Sequence, residues 1–281
     1  MEETIWSGTD FPYACLIDEY RTKTFQAAIE QTVKPGDLVV DIGSGSGILA
    51  FFAAKAGATQ VYAVEIDHLL AESLKKSIWA NGFEDKITVV EGNALSVSLP
   101  QNANVVIAEI IETGLLDEMQ LQVINELRTK GVISAVTRII PGSYESFIRL
   151  ADVDNNFYGF KVMAPIHDWP FYSNDGNNLH RLKKTFLSEK KSLGRFDFEA
   201  APVPASVSRT ISFKIDAGQK VNAVELSGVA TLGSGFELGA TNAFNGNKFI
   251  LIDEITGPKE FNLHVSYEMG QGLGNLKLKA E

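Results

Sequence analysis

The stretch Leu38-Val39-Val40-Asp41-Ile42-Gly43-Ser44-Gly45-Ser46-Gly47 decides the fold of this 281-residue chain. Its apolar beginning predicts a buried strand, and its three alternate glycines predict a tight loop directly after that strand. The apolar run Ile48–Ala56 follows at once and predicts a helix. A helix that begins there presents unpaired backbone N–H groups, which suit a phosphate or a carboxylate ligand.

Strand-like and helical runs alternate around this loop, from about Phe25 to Thr137. Such alternation predicts right-handed crossovers and a doubly wound, Rossmann-like α/β domain with a parallel sheet. The other strand-like runs are Val61–Val64, Ile87–Val90, Val105–Ala108 and Val132–Ser134, and the other helical runs are Leu69–Ala80 and Leu115–Leu127.

The pattern changes after Pro141-Gly142 to short runs of alternating polarity that are separated by turn clusters. This pattern predicts an antiparallel, β-barrel-like second domain. One segment has helical spacing and predicts a surface helix, or alternatively a dimer contact or substrate-facing arm: Leu179, Leu182, Phe186 and Leu187. We therefore predict a helical segment at 1–30, a cofactor-binding domain at 31–140, and a substrate or dimerisation domain at 141–281.

Charge and composition limit the partners. The chain has 25 basic and 35 acidic residues, so its net charge of −10 disfavours nucleic acid and favours cationic partners. The single cysteine, Cys15, excludes an internal disulfide, and the acidic start does not resemble a secretory signal. Apolar runs are shorter than the ~20 residues that cross a bilayer. We expect a cytoplasmic protein without a membrane partner, and the scattered histidines give no basis for a metal site.

The order of residues in the glycine loop favours S-adenosylmethionine over NAD. A dinucleotide fingerprint has the spacing G-x-G-x-x-G, whereas Gly43, Gly45 and Gly47 lie at alternate positions and Asp41 precedes them. This order suits a ligand with a compact, charged amino-acid end.

Two later strand ends are candidates for contacts with the nucleoside. Glu65 ends the second strand, where its carboxylate could accept hydrogen bonds from both ribose hydroxyls. The alternative is a helix cap, for which Asp67 is the better candidate. After the third strand, Asn93 and the backbone of Ala94 could meet an adenine, although Asn93 also suits a plain turn.

An acidic loop follows the fourth strand and contains Glu109, Glu112, Asp117 and Glu118. Facing carboxylates are unfavourable unless a cation lies between them, and the planar fork of a guanidinium can bind both. The Asn/Asp-Pro-Pro-aromatic sequence common in enzymes that methylate base amino groups is absent here. The alternative is a solvated acidic helix start at Asp117 and Glu118.

Four segments together resemble the protein arginine methyltransferase family over about residues 14 to 150. They are Leu16–Thr22, the glycine loop with Gly57-Ala58 and Glu65, the stretch Glu109–Glu118 with two glutamates nine positions apart, and Ile140-Pro141-Gly142. Beyond these residues the resemblance is one of architecture only, since the family attaches a β-barrel to its cofactor domain.

The resemblance assigns roles to these residues. It implies that Arg21 pairs with the cofactor's carboxylate and that Asp18 lies at the edge of the active site. It implies that the three glycines form the cofactor loop, that Glu65 binds the ribose, and that Glu109 and Glu118 hold a guanidinium. Without the family, Asp18 and Arg21 would form an ion pair on a solvated helix. The family also generally forms dimers.

The sequence departs from the family pattern at three places, on both the substrate side and the cofactor side. A Thr-His-Trp loop is missing, and the nearest candidates are Thr241-Asn242-Ala243 and, in another place, His167-Asp168-Trp169. Pro12 stands where a histidine usually precedes the helix, and Leu95 lies about where an adenine-binding glutamate is expected.

The sequence thus predicts an S-adenosylmethionine-dependent N-methyltransferase that acts on a guanidino group, in a protein, a peptide or a small molecule. Two alternatives stay open: methylation of another cationic amine or an oxygen nucleophile, and a non-catalytic module that binds S-adenosylmethionine.

Overall fold

The computed structural model describes residues 10–170, 182–200, 202–233 and 235–280. Two helices, α1 (Phe11–Ile17) and α2 (Glu19–Thr32), precede a five-stranded sheet. Its strands are β1 (Leu38–Ile42), β2 (Gln60–Glu65), β3 (Ile87–Glu91), β4 (Val105–Ala108) and β5 (Arg138–Ile140). Helices α3 (Ile48–Ala56), α4 (His68–Asn81) and α5 (Gln120–Thr129) connect them.

The first sheet is parallel throughout, with strand order β3-β2-β1-β4-β5. The predicted doubly wound domain is therefore confirmed. The chain winds outward from β1 in one direction and then from β4 in the other, so the strand order reverses between these two strands. Ligands bind in the crevice at the carboxyl ends of such a pair. The glycine loop follows β1 and Glu109 follows β4, which places both at that crevice.

Two predicted boundaries in this domain are wrong. The fifth strand is Arg138–Ile140 and not Val132–Ser134. Val132 instead donates its N–H to the carbonyl of Leu127 and is buried, with Gly131 before it at a φ of 74°. This is the apolar residue of a helix C-terminal motif, which resembles a short strand in sequence. Helix α5 also begins later than predicted, because a 3-10 turn occupies Thr113–Leu115.

The remaining strands are antiparallel. A seven-stranded sheet contains β6 (Ser143–Val153), β9 (Ile166–Asp168), β10 (Lys184–Phe186), β11 (Lys191–Asp197), β13 (Lys220–Gly233), β14 (Phe236–Leu238) and β15 (Asn247–Thr256). A three-stranded sheet contains β12 (Ser206–Ile215), β16 (Lys259–Glu268) and β17 (Lys277–Ala280), and a hairpin joins β7 (Asn156–Phe157) to β8 (Phe160–Lys161). The antiparallel prediction is confirmed, but the described strands do not close into a barrel.

The predicted surface helix is wrong in its described part. Lys184–Phe186 is strand β10, which pairs with β6, while Leu179 lies outside the described residues. The side chain of Phe186 stacks on Phe249, and the guanidinium of Arg149 lies 3.1 Å from its ring centre. Helical spacing misled here because the described side chains pack across the sheet and not along a helix.

A buried hydrogen-bond network joins the two domains. The hydroxyl of Tyr144 donates to Asn245 Oδ1 at 2.6 Å and accepts from the Gly114 N–H at 2.9 Å. Asn245 in turn donates to the carbonyl of Gly228 at 2.6 Å. The loop after β4 is thereby attached to the antiparallel sheet. Within the described residues, no helix is long and apolar enough to span a membrane.

Candidate active site

A cavity of about 720 Å³ lies between the glycine loop, helix α1, the loop after β4 and the antiparallel sheet. Its volume falls in the range of small-molecule sites. Six of the eight residues to which the resemblance assigns roles line it together: Arg21, Gly43, Gly45, Glu65, Glu109 and Glu118. The structure thus brings both ends of the predicted site into one space.

Backbone donors hold the Glu65 carboxylate in a fixed orientation. Gly45 donates its N–H to Glu65 Oε2 at 2.7 Å, and Asp67 donates its N–H to Oε1 at 2.8 Å. A carboxylate oxygen can accept a second hydrogen bond, so each retains capacity for a ribose hydroxyl. The Asp67 side chain caps α4 by accepting from Leu70, as the sequence suggested.

The glycine loop needs its glycines for conformation and for space. Gly43 has a φ of 70°, and a Cβ there would lie 2.7 Å from Ile110 Cγ2. Gly47 has a φ of 81° and caps α3 without lining the cavity. Asp41 is buried behind the loop, and burial raises its pKa to about 7. Asp41 and Gly47 therefore support the loop from behind.

Arg21 is the buried cation at the junction of the two halves of the cavity. Its Nη2 contacts the carboxylate of Glu109, while its Nε–H is buried and has no hydrogen-bond partner. Burial raises the pKa of Glu109, and the Arg21 guanidinium opposes that rise. An unpaired buried donor costs free energy, and a ligand carboxylate would remove that cost. The residues present therefore fit the amino-acid end of S-adenosylmethionine.

Four carboxylates crowd the other half of the cavity: Glu109, Glu112, Asp117 and Glu118. Burial raises the pKa of Glu118 well above its usual value, and the charges of the other three raise it further. Among the described residues, Glu118 forms no ion pair.

Sequence reasoning missed a buried lysine in this half. Lys248 Nζ lies 2.6 Å from Asp117 Oδ2 and 2.8 Å from Glu112 Oε2. Asp117 also accepts the Leu273 N–H at 3.0 Å. Asp117 and Glu118 therefore precede α5 and line the cavity, and they are not its solvated first turn.

The pairing of β9 with β15 places His167 directly opposite Lys248. His167 Nε2 lies 3.5 Å from Glu112 Oε1, and Trp169 lines the same cavity. Burial lowers the pKa of His167 to about 4, with Lys248 adding to the effect. No local signal marks this cluster, because it depends on the register of two strands about 80 residues apart in the chain.

Asp18 occupies a buried position at the start of α2. Its Oδ1 accepts from the Arg21 backbone N–H, and its Oδ2 accepts from the Ala243 N–H at 2.8 Å and from the Thr241 hydroxyl. Asp18 and Arg21 are both 3% exposed, so a solvated ion pair is wrong for them. The Thr241-Asn242-Ala243 segment is thus the partner of Asp18.

Asn93 and Ala94 are not brought to the cavity. Asn93 Oδ1 accepts the Leu95 N–H at 2.9 Å, which closes a turn, and neither residue is among those that line the cavity. Asparagine commonly hydrogen-bonds to the backbone two residues on, so the turn alternative accounts for its position.

In the part of the chain that the structure describes, one group of side chains has ligand atoms close enough to hold a metal ion. Atoms of His68, Glu72 and Glu91 lie within 4.8 Å of one another on an exposed surface away from the cavity. Lys75 Nζ is 2.7 Å from Glu72 and 3.5 Å from Glu91, so a side-chain cation already neutralises part of the group.

The fold and cavity define an S-adenosylmethionine-dependent methyltransferase. The family model for ribosomal protein L11 methyltransferase (PrmA) matches residues 21–169, and the chain belongs to this methyltransferase family. A protein of Methanocaldococcus jannaschii, the uncharacterized MJ1452, is 30% identical over 266 residues, 95% of both chains. Protein arginine N-methyltransferase 1.1 of Arabidopsis thaliana is 40% identical over 208 residues, 66% of this chain and 52% of its own length.

Solved structures agree with this assignment at the level of the fold. The Trypanosoma brucei PRMT1 enzyme-prozyme heterotetrameric complex with AdoHcy and Arabidopsis thaliana protein arginine methyltransferase 10 each have a TM-score of 0.74. They are 18% and 16% identical, over 96% of this chain and 96% of theirs. The resemblance to protein arginine methyltransferases is thus confirmed, while the chain spans about half the length or less of the relatives named as methyltransferases.

Proposed function

We propose that this methyltransferase transfers its methyl group to a nitrogen of a guanidino group. The observation that carries the proposal is Glu118, a buried carboxylate without an ion-pair partner among the described residues, in the cavity that also contains Arg21 and Glu65. A buried carboxylate is stable as an anion when a cation binds it, and a guanidinium satisfies both oxygens at once.

The cofactor half of the proposal uses Arg21, Glu65 and the loop of Gly43 and Gly45. Arg21 Nε–H would bind the amino-acid carboxylate, and the Glu65 carboxylate would accept from the ribose. Bound S-adenosylmethionine brings its own electrophilic methyl group and leaving group. The residues of this chain need only to bind and orient the donor and acceptor.

Glu109 and Glu118 have different roles in the proposed acceptor site. Arg21 holds the Glu109 carboxylate in place, so Glu109 forms a fixed side of that site. Glu118 binds the guanidinium edge directly and accepts the proton that the nitrogen loses on methylation. Its raised pKa makes it a better base than an exposed carboxylate. Asp18, tied to Thr241 and Ala243, positions the α2 start from which Arg21 projects.

Isotope transfer tests this proposal. The protein is incubated with methyl-labelled S-adenosylmethionine and a cell extract, and mass spectrometry then determines which molecules and which nitrogens carry the label. We expect label on guanidino nitrogens, in either the protein or the small-molecule fraction, with little transfer by Glu118→Gln and no cofactor binding by Gly45→Arg. Label only on another amine or on oxygen, or an unchanged rate in Glu118→Gln, contradicts the proposal.

We also propose a cytoplasmic homodimer. Exposed apolar side chains on the β7–β8 hairpin support a protein contact, because such surfaces commonly mark interfaces: Phe157, Tyr158 and Phe160. Sedimentation of the wild type and of a Tyr158→Ser/Phe160→Ser variant measures the oligomeric state. A wild-type monomer at micromolar concentration contradicts the proposed dimer.

A further inference from the structure

Two aromatic rings form one wall of the acceptor half of the cavity. The rings of His167 and Trp169 lie with their centres 4.3 Å apart and their planes at 34°. The backbone of Gly246 packs against both, since a Cβ there would lie 2.7 Å from Trp169 Cε3 and 2.8 Å from His167 Nε2. The Thr113 hydroxyl donates to the Gly246 carbonyl, so the backing segment is itself fixed. The wall is therefore a built feature of the cavity.

Among the described residues that line the cavity, four carboxylates lie near two cations, so the charge beside this wall is net negative. Lys248 neutralises much of the charge of Asp117 and Glu112, and Arg21 pairs with Glu109. Glu118 remains without a cation among the described residues. Because burial lowers the pKa of His167 to about 4, its ring is uncharged near pH 7 and does not repel a cation.

We propose that His167 and Trp169 are a stacking surface for the flat face of the acceptor cation, whose edge is bound by Glu118. A guanidinium is planar, delocalised and weakly hydrated, so it stacks on aromatic rings better than an ammonium does. The acceptor site would therefore select a planar guanidino group over the tetrahedral ammonium of a lysine. This inference rests on the proposed function and adds how the substrate class is recognised.

Direct binding tests the inference without turnover. The protein is saturated with S-adenosylhomocysteine, and titration calorimetry measures the dissociation constants of L-arginine amide, L-lysine amide and L-citrulline amide. The side chain of the lysine probe has a positive charge but no planar group, and the side chain of the citrulline probe has a planar group but no charge. We expect arginine amide to bind at least about tenfold more tightly than either.

Substitutions of Trp169 test whether this aromatic wall contacts the bound cation. Trp169→Leu should weaken the affinity for arginine amide about five- to tenfold and change the affinity for lysine amide by less than about twofold. Trp169→Phe should have a smaller effect on the affinity for arginine amide. Trp79→Phe is the matched control, because Trp79 is 75% exposed on α4. The S-adenosylhomocysteine affinity of each variant should stay within about twofold of wild type, which reports that the cavity is intact.

A fluorescence readout covers the case in which Trp169→Leu fails to fold. Arginine amide should change the tryptophan emission of the wild type and of Trp79→Phe by a similar amount. Equal binding of lysine amide and arginine amide overturns the inference, as does an unchanged arginine amide affinity in a folded Trp169→Leu. Absence of any emission change in Trp79→Phe overturns it too.

The outcomes separate this inference from the proposed function. If arginine amide binds in a Trp169-dependent way but no guanidino group is methylated, the stacking surface stands and the proposed reaction fails. If guanidino groups are methylated but the Trp169 variants bind arginine amide normally, the reaction stands and the stacking surface fails.

Discussion

Lys248 places its ammonium 2.6 Å from the Asp117 carboxylate, although the two residues are 131 positions apart in the chain. The contact joins β15 of the antiparallel sheet to the loop that precedes α5. Lys248 also lies 2.8 Å from Glu112, and its side chain is only 7% exposed. One buried cation therefore serves two carboxylates at the junction of the domains, beside the acceptor site.

Lys248→Met should strongly destabilise the protein. It leaves the buried Glu112 and the partly buried Asp117 without their cation, which costs about 3 kcal/mol or more. Burial raises the pKa of Glu112 to about 7 and Lys248 opposes that rise, whereas Lys248 helps to hold the pKa of Asp117 below its usual value. Without Lys248 both pKa values should rise, so ionising the two groups opposes folding more, and the loss should be greater at pH 8 than at pH 5. Urea unfolding of the variant and the wild type at both pH values measures this loss of stability.

Lys220→Met is the control for that experiment. Lys220 pairs with Glu254 at 3.2 Å between β13 and β15, but both side chains are largely exposed. Such a pair contributes at most about 1 kcal/mol, so this variant should unfold nearly like wild type at both pH values. Equal losses in the two lysine variants would contradict the role of burial at Lys248.

Tyr144→Phe should also lower stability. The change leaves the Gly114 N–H and Asn245 Oδ1 buried without a partner, and each such group costs about 1–3 kcal/mol. Tyr20→Phe, at a residue that is 66% exposed, is the control and should be neutral. Thermal or urea unfolding of the pair measures the difference, and equal stability of the two variants would exclude the network as a domain connection.

Much of the cofactor half could be predicted from the sequence, because its signals are local. A buried strand, a glycine loop and a helix follow one another within 20 residues, and the acid at the end of β2 follows a short connection. Glu109 and Glu118, the proposed acceptor carboxylates, likewise belong to one loop. The local patterns therefore predicted residues that the structure places around one cavity.

The acceptor half could not be predicted in the same way. Lys248, His167 and Trp169 meet only because β9 pairs with β15 in one register, and a slip of one residue would turn these side chains to the other face. The expected partner of Arg21 was the cofactor's carboxylate or Asp18, but its contact with Glu109 spans 88 positions of the chain. Such contacts depend on tertiary packing and leave no periodicity in the sequence.

Thr241→Val should weaken the attachment of α2. Thr241 and Ala243 both donate to Asp18 Oδ2, so removal of the hydroxyl leaves a buried carboxylate with one donor fewer. We expect a loss of about 1–3 kcal/mol and weaker binding of S-adenosylhomocysteine, since Asp18 begins the helix that carries Arg21. Urea unfolding and calorimetry measure the two effects. Thr241→Ser keeps the hydroxyl, so its stability and its affinity for S-adenosylhomocysteine should be close to those of the wild type. If Thr241→Ser were as unstable as Thr241→Val, the methyl group of Thr241 and not its hydroxyl would be responsible.

The raised pKa of Glu118 predicts how binding of a guanidinium depends on pH. The cation needs the ionised carboxylate, so its affinity should be full above the Glu118 pKa and fall about tenfold for each pH unit below it. Because that pKa lies well above its usual value, the decline should begin at a higher pH than an exposed glutamate would give.

Glu112 also titrates in this region, since burial raises its pKa to about 7. Glu118→Gln retains Glu112, so this variant isolates the contribution of Glu118. We expect weak binding of arginine amide by Glu118→Gln with little dependence on pH, measured by calorimetry in the presence of S-adenosylhomocysteine. Glu254→Gln, which removes an exposed carboxylate of β15, should retain the wild-type profile. A Glu118→Gln profile that still follows the wild type would assign the titration to Glu112 and leave Glu118 without its role as the cation's binding partner.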